Sequence, residues 1–97
     1  MYRILIVEDD ETIAEEIKKQ LQLWNFDAEC VKNFREIMPV FSKYEPHLVL
    51  LDISLPFFNG YYWCSEIRKV SKVPVIFISS ASDNMNIVMD SIENIRG

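Results

Sequence analysis

The sequence predicts an α/β fold in which helices cover both faces of a parallel sheet. Short aliphatic runs alternate along the chain with segments whose apolar residues recur at helical spacing. The two most apolar runs, residues 4–7 and 48–51, both lead directly into carboxylates. Because strands that alternate with helices pair in parallel through right-handed crossovers, we expect a three-layer α/β/α sandwich.

The first three elements follow from simple patterns of apolar residues. Residues 3–7 are predicted to form a buried strand, because every residue after Arg3 is aliphatic. Residues 10–24 are predicted to form a helix, whose apolar positions are Ile13, Ile17, Leu21 and Trp24. Alternating polar and apolar residues over 27–31 indicate a second strand near the edge of the sheet.

A second helix is predicted after residue 33, with an irregular start. Asn33 and Glu36 have the spacing of a capping box. Pro39 falls within the helical pattern and removes a backbone donor, so it either kinks the helix or delays its start. The apolar face of this helix has four members: Phe34, Ile37, Met38 and Phe41.

The second half of the chain repeats the alternation of strand and helix. Residues 48–52 form the most apolar strand, which we place at the centre of the sheet. A turn leads into a helix over residues 60–70, and a fourth strand spans residues 73–79. The third helix is predicted to turn three residues inward: Cys64, Ile67 and Val70. A last helix follows, with apolar positions at Met85, Val88, Met89, Ile92 and Ile95.

Composition restricts the class of protein. The chain has 97 residues and a formal net charge of −5, which suits one small domain spanning residues 1–97. The acidic balance argues against direct contact with nucleic acid, and the apolar runs are too short to span a membrane. No basic-then-apolar signal peptide opens the chain. Cys30 and Cys64 lack CxxC spacing, so we expect two reduced cysteines in a cytoplasmic protein.

Carboxylates at two strand ends form the candidate site. Asp52 closes the third strand, and Glu8 and Asp9 follow the first. Parallel strands bring such residues to one edge of the sheet, where open α/β folds bind ligands. Like charges this close repel each other unless a cation lies among them, which predicts an oxygen-ligated metal such as Mg²⁺. We interpret Asp52 as a nucleophile toward phosphorus, with Glu8 and Asp9 as metal ligands.

A hydroxyl group at the end of the fourth strand completes the candidate site. Ser79 directly ends the aliphatic run, and Ser80 is the second choice. A hydroxyl at this edge can donate a hydrogen bond to a phosphoryl oxygen on Asp52. The competing interpretation is a serine that caps a turn or a helix.

Three linked segments resemble the receiver domain of bacterial response regulators in order and spacing. They are residues 4–10 (ILIVEDD), 49–56 (VLLDISLP) and 74–79 (PVIFIS). The adjacent Glu8 and Asp9, with residues 60–64, are most similar to the OmpR/PhoB type, and to regulators paired with peptide-antibiotic-sensing kinases. The resemblance runs to about residue 89 and implies a flavodoxin-like sheet of strand order 2-1-3-4.

The resemblance also implies a role for each site residue. Asp52 would accept a phosphoryl group from a phosphohistidine of a sensor histidine kinase, normally to control a transcription-regulating output domain. Asp9, Asp52 and the backbone carbonyl of Ser54 would bind Mg²⁺, and Glu8 would act through a metal-bound water. Ser79 would be the switch hydroxyl. Such a chain would be a phosphoprotein of two-component signalling and not an enzyme.

The end of the chain departs from this family pattern. A receiver domain has a fifth strand that carries a phosphoryl-contacting lysine, followed by a fifth helix, whereas the last lysine here is Lys72. Arg96 has the right charge but falls on a predicted helix. We therefore expect a receiver domain that is incomplete at its C-terminus, lacks a DNA-binding domain, and is impaired in phosphorylation and switching.

Two other functions compete with that of a phosphoacceptor. A fourth strand without a further neighbour leaves an apolar edge, which predicts self-association through that strand and the last helix. A receiver-fold interaction module that is not phosphorylated is therefore the main alternative. A haloacid-dehalogenase-like phosphatase also uses a strand-end aspartate and Mg²⁺, but it requires an acid where this chain has Ser54.

Overall fold

The computed structural model describes residues 1–78, in which strands and helices alternate as predicted. In chain order, the elements are β1 (Arg3–Val7), α1 (Glu11–Leu23), β2 (Asp27–Cys30), α2 (Met38–Tyr44), β3 (Leu48–Asp52), α3 (Gly60–Arg68) and β4 (Val75–Ile78). Ser79, Ser80 and the predicted last helix lie outside the described residues.

The four strands form one parallel sheet in the order β2-β1-β3-β4. β1 therefore lies between β2 and β3, and Val7 is paired in register with Leu51. Every residue of β3 is buried, as expected for the most apolar strand of the chain. The predicted parallel sheet and its strand order are confirmed, and they place the ends of β1 and β3 side by side.

Alternate residues of the strands pack into two separate apolar cores. Ile4 and Ile6 of β1 pack with the inner face of α1 on one side of the sheet. Leu5 and Val7 point to the opposite side, where they join a core that includes residues of α2 and α3. Because side chains alternate along a strand, one strand serves both cores, and the result is the predicted three-layer sandwich.

Pro39 delays the second helix and does not kink it. α2 begins at Met38, which places Pro39 in the first turn, where the missing N–H leaves no helical hydrogen bond unmade. The predicted capping box is wrong, because the Asn33 side chain accepts a hydrogen bond from the Arg35 N–H (3.1 Å) outside the helix. Ile37 precedes the helix and provides no side-chain cap.

The third helix is shorter than predicted. α3 ends at Arg68, so Val70 lies beyond the helix and is 67% exposed, against the prediction that it turns inward. Ile67 is fully buried, as predicted. Arg68 donates a hydrogen bond to the carbonyl of Val73 (2.7 Å), and this contact joins the end of the helix to the segment before β4. β4 begins at Val75, later than predicted.

The state of the two cysteines and the length of the helices test two expectations drawn from the composition. Cys30 and Cys64 are both free thiols, as predicted; Cys30 is buried, and Cys64 is half-buried against the core beneath α3. Within residues 1–78, none of the helices combines the length and apolarity that a membrane crossing requires.

Candidate functional site

The ends of β1 and β3 bring three carboxylates together. Glu8 and Asp9 directly follow β1, Asp52 is the last residue of β3, and the two strands are paired. One carboxylate oxygen from each residue lies within 4.8 Å of the other two. The site forms because both apolar strands end at the same edge of the sheet, so the polar residues that follow emerge side by side.

Two of the three carboxylates are buried. Asp52 is 0% exposed and Glu8 is 2% exposed, whereas Asp9 is open to solvent. Asp52 Oδ1 accepts a hydrogen bond from the Ser54 N–H (3.0 Å), and Glu8 Oε2 accepts one from the Asp10 N–H (3.0 Å). With both carboxyls ionised, Asp52 Oδ2 and Glu8 Oε1 have no hydrogen-bond partner among the described residues. Buried polar atoms of this kind indicate a place for a ligand.

Burial favours the protonated form of these acids. The pKa of Glu8 rises from 4.5 to about 8, chiefly because the carboxyl is buried and also because Asp52 is negatively charged. Burial likewise raises the pKa of Asp52, against the opposing effect of the Ser54 N–H. In the metal-free protein, the raised pKa therefore favours the protonated form of Glu8 near neutral pH.

The residues present fit a hard divalent cation. The three donor atoms are carboxylate oxygens, and two of the side chains are buried with an oxygen that lacks another partner. All-oxygen ligand sets suit Mg²⁺, and a dication would offset the repulsion between the acids. The structure thus brings together Glu8, Asp9 and Asp52, the three side chains that the sequence analysis named for this role.

The other two predicted site residues are Ser54 and Ser79. Ser54 is exposed, and its backbone N–H donates a hydrogen bond to Asp52. The carbonyl of Ser54 is therefore part of the loop that lies beside Asp52. Ser79 lies outside the described residues. Ile78, which precedes it, is paired in register with Asp52, so β4 leads toward the same edge. The roles of both serines stay predictions.

The start of α3 packs closely against the end of β3, next to the backbone of Asp52. A Cβ atom added at Gly60 would collide with the Asp52 carbonyl oxygen, so glycine is required for this approach. The Gly60 N–H donates to the Ile53 carbonyl (2.9 Å). Asn59 caps α3, since its side chain accepts a hydrogen bond from the Tyr62 N–H (2.9 Å). These contacts hold both ends of the loop between β3 and α3.

The third acid after β1 has a structural role. Asp10 Oδ1 accepts hydrogen bonds from the N–H groups of Thr12 (3.0 Å) and Ile13 (3.2 Å), so Asp10 is the N-cap of α1. The cap fixes the chain directly after Glu8 and Asp9. We assigned Asp10 no role from the sequence, although an aspartate directly before a helical repeat is a usual capping signal.

A small cavity adjoins the acidic cluster on the side of β2. Its volume is about 40 Å³, and its lining includes Glu8, Asp9, Lys32 and Phe34. Lys32 thus brings a positive charge to the edge of the cluster from the segment between β2 and α2. The sequence did not single out Lys32, because no local motif marks a lysine that approaches a site from a neighbouring strand.

The chain matches a known family over nearly its whole length. Residues 4–94 match the response regulator receiver domain. This chain belongs to that family. The resemblance drawn from three motifs is thereby confirmed, and the match extends beyond Met89, near which we expected it to end.

The relatives are longer than this chain. It is 49% identical over 94 residues to YvcP of Bacillus subtilis (strain 168), an uncharacterized transcriptional regulatory protein. The match covers 97% of this chain but 39% of YvcP, so the chain spans well under half the length of this curated relative.

Solved receiver domains share the fold. The N-terminal domain of the nisin resistance regulator NsrR, a lantibiotic response regulator, is 42% identical, with a TM-score of 0.77 over 95% of this chain and 78% of that domain. The response regulator TrrA of Thermotoga maritima, solved in complex with Mg²⁺-BeF, is 33% identical, with a TM-score of 0.75 over 87% of this chain and 74% of TrrA. The sheet is therefore the predicted flavodoxin-like receiver fold, and the homologues are of the OmpR type.

Proposed function

We propose that this chain is a phosphoacceptor and that Asp52 receives the phosphoryl group. The observation that carries the proposal is the buried Asp52 carboxylate, whose Oδ2 lacks a partner among the described residues and lies in a cluster with two further acids. Membership of the receiver family supports it. The related TrrA structure, which is in complex with Mg²⁺-BeF, supports a pocket for both a metal ion and a phosphoryl group.

The proposed reaction transfers one phosphoryl group. A carboxylate oxygen of Asp52 attacks phosphorus while the P–N bond of a phosphohistidine breaks, and the electron pair of that bond leaves with the imidazole. The product is an acyl phosphate. Because the Ser54 N–H already bonds Oδ1, Oδ2 is the oxygen available for attack. The nucleophile must be ionised, and burial, which raises the pKa of Asp52, opposes this ionisation in the metal-free protein.

We assign the metal site to Glu8, Asp9 and Asp52, with the backbone carbonyl of Ser54 as a further ligand. Asp9 and Asp52 would bind Mg²⁺ directly, and Glu8 would hold it through a bound water. When bound, the ion offsets the negative charge of the attacking carboxylate and of the phosphoryl oxygens. Asp9 is the exposed member of the three, so it gives the ion a path from solvent into the buried pair.

Ser79 is our proposed switch hydroxyl. It follows Ile78 in the chain, and Ile78 is the partner of Asp52 in the pairing of β3 with β4. A hydroxyl at that point of the chain can report the modification, because it donates a hydrogen bond to an acceptor that exists only after phosphorylation.

A sensor histidine kinase is the proposed donor, and a transcription-regulating domain the proposed recipient of the signal, in the cytoplasm. The name of YvcP as a transcriptional regulatory protein supports the second assignment. The name of NsrR as a lantibiotic response regulator supports a stimulus related to peptide antibiotics.

Self-association through the fourth strand and the last helix is a further part of the proposal. Within the described residues, β4 pairs with β3 alone, and Phe77 is 38% exposed. A strand edge with apolar side chains pairs readily with another chain. We expect sedimentation over a series of concentrations to show a dimer, and a clean monomer at high concentration would contradict this part.

Intact-mass measurement after incubation with Mg²⁺ and acetyl phosphate tests the acceptor role. We expect the wild type to gain the mass of one phosphoryl group and D52A to gain none. D27N is the matched control, because Asp27 is an exposed aspartate at the opposite end of its strand from the site. It should gain the same mass as the wild type. No gain in a wild-type protein that binds Mg²⁺ would overturn the proposal.

A further inference from the structure

The loop between β3 and α3 contains a strained turn at Phe57. The Phe58 N–H donates to the Pro56 carbonyl (2.8 Å), which closes a three-residue turn with Phe57 at its centre. The φ angle of Phe57 is 70°, in the left-handed region that residues other than glycine seldom adopt. Backbone strain of this kind persists only where surrounding contacts hold it, and it is concentrated at functional sites.

The side chain that contacts this turn belongs to Arg35. Its guanidinium carbon lies 3.9 Å from the centre of the Phe57 ring, which is a cation–π geometry. Phe57 is 59% exposed, so burial in the core does not account for its position. The Arg35 backbone is itself held, because its N–H donates to the Asn33 side chain (3.1 Å). An ordered loop therefore presents the guanidinium to the ring.

We call the Arg35–Phe57 contact the strap, because it joins the loop after β2 to the loop after β3. β1 lies between these two strands, so the two loops flank the strand end that carries Glu8 and Asp9. The loop after β3 also begins at the acceptor, since the Ser54 N–H donates to Asp52. The strap thus acts on the loop that supplies a proposed metal ligand.

We propose that Arg35 is a positioning residue for metal binding, which it serves by holding Phe57 in its strained turn. The inference rests on the proposed Mg²⁺ site. With the strap in place, the loop keeps the Ser54 backbone beside Asp52. Without it, the turn relaxes to conformations that a phenylalanine adopts more easily, and the Ser54 carbonyl is held less firmly beside Asp52.

The direction of the change in Mg²⁺ affinity distinguishes a role of the strap from a purely electrostatic role of Arg35. Loss of a positive charge near three acids raises their affinity for Mg²⁺, whereas loss of the strap lowers it. F57L removes the ring without changing the charge, so we expect it to weaken Mg²⁺ binding about two- to five-fold, the range of an exposed cation–π contact. R35K and F57Y keep a cation over an aromatic ring, so both should bind Mg²⁺ as the wild type does.

Calorimetric titration of the full chain with Mg²⁺ alone measures this effect in a double-mutant cycle. The change in Mg²⁺ affinity caused by R35Q should differ about two- to five-fold between the wild-type and F57L backgrounds. K43Q removes an exposed charge from α2 and is the matched control, which should leave the affinity unchanged. An equal effect of R35Q on Mg²⁺ affinity in both backgrounds would show that the strap does not support metal binding.

Failure of the strap and failure of the proposed site give different results. A wild type that binds no Mg²⁺ overturns the site and, with it, the positioning role. A wild type that binds Mg²⁺ with no coupling between Arg35 and Phe57 overturns the strap alone. NMR reports the contact without any metal, since the aromatic ring should shift the Arg35 side-chain protons upfield in the wild type and not in F57L.

Discussion

The two edges of the sheet use their charged residues in opposite ways. At the amino-terminal edge, the Arg3 guanidinium donates to the carbonyls of Tyr44 (3.0 Å) and Glu45 (2.8 Å) at the end of α2. The Arg3 N–H also donates to His47 Nδ1 (2.9 Å), and the His47 N–H returns a bond to the Arg3 carbonyl (2.8 Å). The charge at this edge joins β1 to the end of α2 and the start of β3.

The carboxyl-terminal edge keeps its charged groups for a ligand. Glu8 and Asp52 are buried there, and each has an oxygen without a partner among the described residues when both are ionised. Burial raises the pKa of both acids, which is a cost to the metal-free fold. The same strands thus carry stability at one end and reactivity at the other, so changes at the two edges should have separable effects.

The largest expected effect comes from G60A, which disturbs the carboxyl-terminal edge and the packing of α3 together. The added Cβ atom collides with backbone at Asp52, so the helix has to move away from β3. We expect a loss of about 3 kcal/mol in the free energy of unfolding, measured with denaturant, and much weaker Mg²⁺ binding in a titration. S65A, on an exposed position of α3, should change neither quantity. Normal Mg²⁺ affinity in G60A would show that the packing of Gly60 against Asp52 does not affect metal binding.

E8Q should have the next largest effect, and its size depends on pH. Glu8 has a pKa of about 8 in the fold against 4.5 as its ordinary value, so the unfolded chain loses this proton at lower pH than the folded chain. The contribution of Glu8 to stability is therefore complete below pH 4.5 and is lost as pH rises toward about 8. E8Q cannot ionise, so at about pH 8 it should be more stable than the metal-free wild type.

Chemical denaturation between about pH 5 and about pH 8, without Mg²⁺, measures the difference between E8Q and the wild type. E16Q, which changes an exposed acid of α1, is the control and should follow the wild type. Mg²⁺ affinity of the wild type should rise over the same range, because metal binding displaces the proton of Glu8. Parallel stability curves for E8Q and the wild type would contradict the protonated state of Glu8.

R3M should have the smallest effect, and it tests the role of the amino-terminal edge. The substitution removes the bonds from the guanidinium to the last carbonyls of α2, and we expect a loss of about 1 kcal/mol in thermal or chemical unfolding. Mg²⁺ affinity should not change, because Arg3 lies at the opposite end of β1 from Glu8. K19M tests the loss of charge alone at an exposed position. A change of Mg²⁺ affinity in R3M would show that the two edges are coupled.

The strands and the acidic cluster could be predicted because their signals are local. An aliphatic run with acids at its end shows both a buried strand and the edge at which Asp52 emerges. The alternation of strands and helices makes the sheet parallel, which brings Glu8 and Asp9 to the same edge. The strand order came from the family resemblance, since local patterns do not state which strands are neighbours.

The errors lie at the ends of helices, where short-range contacts compete with the apolar pattern. Asn33 has the spacing of a capping residue, yet Pro39 favours a later start and leaves Asn33 in a loop. Val70 continues the apolar pattern of α3, but the helix ends at Arg68, whose side chain bonds the carbonyl of Val73. Pro39 is a sequence signal for the late start of α2, whereas no sequence pattern marks the contact of Arg68 with Val73.

The parallel α/β architecture, the faces of the strands and the acids that meet at one edge are all predictable from the order of residues. Each of these follows from periodicity and from the end points of apolar runs, which the chain carries in its order of residues. Which acids are buried, the pKa shift of Glu8 and the contact of Arg35 with Phe57 follow only from the folded arrangement. Burial, electrostatics and ring contacts depend on distances between elements, and such distances exist only after the chain has folded.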